Sequence, residues 1–152
     1  MSYKNGNMKT IELHENGLDI QFRIRENGVV ELADFSSQEV KKAAMEPKED
    51  IYYPAVEIHR SGTGSLNMHA YKNNINQSSV DFVYENHELK EQEGGKELEI
   101  VMVSPEKLKA VYHMRLFDGI PAVQTWTEIT NEGSEDQGLT HVSSFIYQGI
   151  SR

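Results

Sequence analysis

The chain has no cysteine. That excludes disulfides, thiolate metal sites and a cysteine nucleophile. A basic excess is missing too: 24 Asp and Glu stand against 15 Lys and Arg, a net charge of −9. Nucleic-acid binders present a basic patch, so no nucleic-acid partner is expected. The acidic balance favours solubility and disfavours anionic partners. The first residues, MSYKNGNMKT, lack the apolar stretch of a signal peptide. No run approaches the ~20 apolar residues of a membrane-spanning helix. The expectation is a cytoplasmic protein without a membrane partner, in which the glycosylation sequon at Asn76-Gln77-Ser78 has no consequence. Tryptophan is nearly absent, with Trp126 the only one.

What is present suits one domain of 152 residues. A chain of that length buries roughly 70% of the surface its unfolded form exposes, so 38% hydrophobic residues are enough for a core. Short alternating runs dominate. Ile11 and Leu13 share a face in Lys9 to His14. Leu18, Ile20, Phe22 and Ile24 alternate with Asp19, Gln21 and Arg23, and Val29 to Phe35 follows. Asn16-Gly17 and Asn27-Gly28 separate these runs, and Asn-Gly favours the positive φ angles of two-residue hairpin turns. Residues 36 to 50 interrupt the pattern as a loop, with a helical turn at Glu39 to Met45. Ala55 to Arg60 alternates again. Residues 61 to 79 are rich in Gly, Ser and Asn and lack periodicity, as functional or disordered loops do. Val80 to Leu89 returns to alternation, and Gly94-Gly95 marks a turn.

Residues 96 to 147 hold four strand-like runs. The strongest is Lys107 to Phe117, with Leu108, Ala110, Tyr112, Met114 and Leu116 on one face. That is the pattern of a half-buried antiparallel strand. Asp118-Gly119 reverses the chain, and Pro121 begins the next run, where a missing N–H is tolerated. In that run Val123, Thr125, Thr127 and Ile129 oppose Gln124, Trp126 and Glu128. Leu139 to Tyr147 is the last run. No long helical pattern appears. The fold class expected is all-β, an antiparallel β-sandwich with few or no helices.

Candidate chemistry is sparse. His59 and His69 lie ten residues apart across the Gly-rich loop, without metal-ligand spacing. Glu57 and His59 share a strand face and can orient each other. Ser61-Gly62-Thr63-Gly64-Ser65 lacks the Lys-Ser/Thr ending and the helix of a phosphate loop. The glutamates at 85, 88, 91, 93, 97 and 99 surround a turn and read as a solvated rim. None is marked as an acid–base pair with separated pKa values. Trp126, on the polar side of its strand, can stack on a sugar or cover an interface. Asn67, His69 and Tyr71 in the long loop are further candidates for ligand contact. No catalytic residue, metal or cofactor is expected.

Leu98-Glu99-Ile100-Val101, Phe117-Asp118-Gly119-Ile120-Pro121-Ala122-Val123, Trp126-Thr127-Glu128-Ile129-Thr130-Asn131-Glu132-Gly133 and Val142-Ser143-Ser144-Phe145 together resemble the N-terminal domain of bacterial α-galactosidases of glycoside hydrolase family thirty-six. The resemblance covers residues 96 to 148 best, and the earlier hairpins follow in order and character. It implies a β-supersandwich that precedes a (β/α)₈ barrel and a small C-terminal β-domain. In that family the barrel holds both catalytic aspartates of a retaining mechanism. No catalytic residue can be carried onto these 152 residues, and the chain is expected to be a fragment of a longer enzyme, inactive alone. The partners implied are the barrel of the same polypeptide, further copies of the chain, and oligosaccharide only through the intact enzyme. The loop from 59 to 73 is expected to reach an active site. Two rivals are a free-standing carbohydrate-binding module using Trp126, and a sugar-epimerase-type enzyme with His and Glu on a sandwich face. Unpaired sheet edges predict a dimer or larger assembly.

Overall fold

The two runs with the strictest alternation become inner strands of two antiparallel sheets. The structure is a computed structural model describing residues 8–37, 52–63 and 77–147. Strands β1 (Lys9–Glu15), β2 (Leu18–Ile24) and β3 (Val30–Ser37) form the first sheet, in that order. After β4 (Ile58–Arg60) comes a short helix, α1 (Gln77–Asp81). Strands β5 (Val83–Gln92), β6 (Gly95–Val103), β7 (Leu108–Phe117) and β8 (Ile120–Asn131) then form a four-stranded meander. The last strand, β9 (Leu139–Val142), pairs with β4. The fold is all-β, with antiparallel sheets packed as a sandwich, as the alternation predicts.

One core joins the sheets. Leu18, Ile20, Phe22 and Ile24 of β2 and Leu108, Ala110, Tyr112, Met114 and Leu116 of β7 are all buried in it. Each Leu, Ile, Met or Phe among them contributes about 1.5–3 kcal/mol when fully buried. Phe22 meets Tyr112 edge-on, with ring centroids 5.7 Å apart, a favoured aromatic geometry. At one end of the sandwich, Lys96 Nζ lies 2.6 Å from Glu15 Oε1, and the Gly119 N–H donates to Asn16 Oδ1 at 2.9 Å. Two serines of α1 dock it on β4: the Ser78 and Ser79 hydroxyls both donate to the Ile58 carbonyl.

The first Asn-Gly pair forms the expected turn, with φ of 52° at Asn16 and 84° at Gly17. The second does not. Ile24 pairs with Val30, so residues 25–29 make a longer connection in which Gly28 alone has positive φ, 86°. The reason is a close approach. The Tyr84 N–H donates to the Gly28 carbonyl at 2.8 Å, and a Cβ on Gly28 would lie 2.8 Å from that of Val83.

Three expectations need adjusting. Val80 falls in α1, so the strand expected over Val80 to Leu89 runs from Val83 to Gln92 and bulges between Tyr84 and Asn86. The last run stops at Val142 because Phe145 and Tyr147 turn to pack against Phe35, at 5.4 and 6.3 Å. Its strand also leaves the meander to pair with β4. The helical turn expected at Glu39 to Met45 lies outside the described residues.

Candidate functional site

The alternation that turns Leu98, Ile100, Tyr112 and Met114 inward turns Glu97, Glu99, His113 and Arg115 outward. Strand register then assembles them. Glu88, Glu99, His113 and Trp126 stand in one row across β5 to β8, and Lys90, Glu97, Arg115 and Gln124 form the next. His113 Nδ1 lies 2.8 Å from Glu97 Oε1 and 3.8 Å from Glu99 Oε1. Carboxylates accept only, so the imidazole donates from Nδ1. The Trp126 indole lies flat on the imidazole, with centroids 4.6 Å apart and 5° between planes. Its Nε1–H points at Glu128 Oε1, 3.4 Å away. Lys90 Nζ donates to Glu99 Oε2 at 2.5 Å, and Gln92 Nε2 donates to Glu97 Oε2 at 2.7 Å. The Glu99 hydrogen bond raises the Lys90 pKa above its ordinary value.

Glu97 and His113 are each only 6% exposed, although they lie on the sheet's outer side. Trp126 covers His113. The expectation of a wholly solvated glutamate rim is therefore corrected: Glu85, Glu88 and Glu91 are exposed, but Glu97 is buried. His113 Nε2 is buried without a hydrogen-bond partner, its nearest charge being Glu128 Oε1 at 3.7 Å.

Among the described residues, Glu97, Glu99 and His113 are the group able to offer three ligand atoms within 4.8 Å of one another. Oxygen and imidazole donors suit a divalent ion such as zinc. A metal would have to replace the proton on His113 Nδ1 and compete with the donors already on the two carboxylates. Both acids already have donors, and His113 Nε2 is the atom of the network left unpaired.

The site residues expected from sequence fall in different places. His59, on β4, does engage Glu57, with Nε2 2.8 Å from Oε1, and its ring sits 5.0 Å from that of His141 on β9. The Glu57 N–H donates to Ser143 Oγ at 2.7 Å, which fixes the pair to the β9 exit. Trp126 faces away from this cluster: its neighbour Thr127, on the opposite side of β8, donates to the Ser143 carbonyl at 2.9 Å. His59 and Trp126 are therefore not brought together. Asn67, His69 and Tyr71, and most of the 59 to 73 loop, lie outside the described residues.

A separate open groove of about 510 Å³ lies beyond the β6–β7 turn, with Pro105, Glu106, Lys107, Glu132 and Glu135 among its lining. Glu106 is bound by Arg60 at 2.6 Å, and that hydrogen bond holds its carboxyl below the usual range. Sequence reasoning missed His113, Glu97 and Glu99 as a unit. The one available signal was the strand register, which places His113 opposite Trp126. None of the described helices is long and apolar enough to cross a membrane. Compared with known protein families and with curated proteins, the chain matches none.

Proposed function

We propose that this chain is a non-catalytic β-sandwich module of an α-galactosidase-type glycoside hydrolase. A catalytic barrel on the same polypeptide would release terminal α-galactose from oligosaccharides in the cytoplasm. The sandwich would support that barrel and the assembly of copies, and its 59 to 73 loop would border the substrate entrance. One observation carries the non-catalytic part. The site with the most acid–base character, Glu97, Glu99 and His113, is closed by Lys90, Gln92 and Trp126 rather than open to a substrate. The family part rests on the resemblance, whose residues lie in β6, the β7–β8 turn, β8 and its exit, and the end of β9.

The test is hydrolysis of a nitrophenyl α-galactoside. The expected result is no turnover by the chain alone. Mixed with a family barrel stripped of its own sandwich, the chain should co-elute with it and raise hydrolysis. Turnover that persists in the purified chain, or no association with the barrel, would overturn the proposal.

A binding module is the second reading, favoured by the way His113 fixes the Trp126 ring. Flat aromatic faces present apolar surface with defined orientation. Titration with galactose or raffinose, followed by the fluorescence of this only tryptophan, separates the two. Micromolar affinity that disappears in Trp126→Ala favours the binding module. Weak or absent binding favours the accessory domain.

A further inference from the structure

Strand β5 is an edge of the four-stranded sheet and the least covered of its strands. Glu85, Asn86, His87, Glu88 and Leu89 are five consecutive exposed residues, so neither face is roofed. Leu89 is 42% exposed, although its cross-strand neighbour Leu98 is fully buried. The opposite edge differs. On β8, Val123, Thr125, Thr127 and Ile129 are half-buried along one side.

We propose that β5 pairs antiparallel with β5 of a second copy about a two-fold axis at Leu89. The pairing would join two four-stranded sheets into one of eight strands.

Backbone geometry restricts the register. Gln92 pairs with Gly95 across the Glu93-Gly94 turn, and such a turn is closed by a hydrogen bond between its first and fourth residues. Antiparallel pairs alternate between hydrogen-bonded and non-bonded. Lys90 and Glu88 therefore bond to β6, while the N–H and C=O groups of Glu91, Leu89 and His87 point outward. These three must face each other across the two-fold.

Side chains then select one register among those allowed. With Leu89 opposite Leu89, Glu88 faces Lys90, His87 faces Glu91 and Asn86 faces Gln92, each twice by symmetry. Centring on Glu88 sets Glu88 against Glu88. Centring on Lys90 sets Lys90 against Lys90, and centring on His87 sets His87 against His87. Opposite charges directly across strands stabilise a pair, and like charges destabilise it. Charged edges normally discourage pairing, but here the charges are complementary to their own two-fold copy. None of this depends on the chain's role in an α-galactosidase.

The test uses the whole chain. Light scattering across concentrations should show a monomer–dimer equilibrium. Glu88→Lys, which sets two lysines opposite each other twice, should weaken it by about tenfold or more. Adding Lys90→Glu should restore it, with circular dichroism confirming the fold because Lys90 also holds Glu99. The chain has no cysteine, so Leu89→Cys gives a clean crosslink. Hydrogen-bonded cross-strand Cα atoms sit about 5.5 Å apart, within disulfide range. Oxidised Leu89→Cys should become a covalent dimer faster than Ile120→Cys, an exposed control. A wild-type chain that stays monomeric at high concentration overturns the proposal. So does crosslinking no faster at 89 than at 120, or a dimer indifferent to Glu88→Lys.

Discussion

Tyr112 and His113 are neighbours on β7, and both are buried, yet they are buried by different means. Tyr112 points into the core, where Phe22 and the first sheet cover it. His113 points to the side where a sandwich normally meets water. There, side chains of the same sheet do the covering: Trp126 above the ring, with Glu97 and Glu99 beside it. The inner face gains its burial from a second layer of backbone. The outer face gains it from one indole and a charged network. Burial by packing is non-directional and tolerant. Burial within a polar network holds only while every donor finds its acceptor.

The largest expected effect lies on the inner face. Phe22→Ala empties a site of 0% exposure that both sheets share. Large-to-small core changes of this kind cost about 3–5 kcal/mol. Urea unfolding should show a midpoint lowered accordingly. A loss under about 1 kcal/mol would mean that the two sheets do not share one core.

The outer face should respond less, and in a different way. Glu97→Gln keeps the shape but removes the charge that His113 Nδ1 faces, an expected cost of about 1–2 kcal/mol. His113→Ala also removes the support of Trp126, for about 2 kcal/mol in all. Because Trp126 is the only tryptophan, native-state fluorescence reports the stack directly and should change in His113→Ala but not in Phe22→Ala. Equal costs at Phe22 and His113 would make the outer face a second core and erase the contrast.

Much of the inner face was legible before any pairing was known. A period of two places Leu18, Ile20, Phe22 and Ile24, and Leu108 through Leu116, on buried faces because each residue's direction depends only on its own strand. The outer network was not legible in that way. His113 sits among Lys109 and Arg115 and reads as solvent-facing. Its burial depends on which residue stands opposite it on β8 and on the carboxylates of β6, and both are facts of register. Pairing between β4 and β9 was hidden for a similar reason: some eighty residues separate His59 from His141. The short α1 escaped because Gln77–Asp81 is held by serine hydrogen bonds to β4 rather than by an apolar stripe. Among the expected site residues, Glu57 and His59 were near enough in sequence for their contact to be foreseen. The stack of Trp126 on His113 was not.

The smallest effect is expected at Tyr112 itself, and it separates packing from polar bonding at a single atom. The Tyr112 hydroxyl is buried and makes no well-formed hydrogen bond, only a weak polar contact with the Thr125 side chain. Tyr112→Phe keeps the ring against Phe22 and removes only that oxygen, so stability should be unchanged or rise by up to about 1 kcal/mol. The pH response should differ more clearly. Burial raises the phenol's pKa well above its ordinary value of 10.0, and the Thr125 side chain offsets this only in part. A group whose folded pKa is raised leaves stability intact below the unfolded pKa. Above it, the unfolded chain ionises first and stability falls. Wild-type stability should therefore drop progressively above about pH 10, and Tyr112→Phe should lose this component. Denaturant midpoints of both proteins, compared from about pH 9 to pH 11, give the answer. Curves that stay parallel would mean that water reaches the phenol in the native state, and that the inner face at Tyr112 is no drier than the outer face at His113.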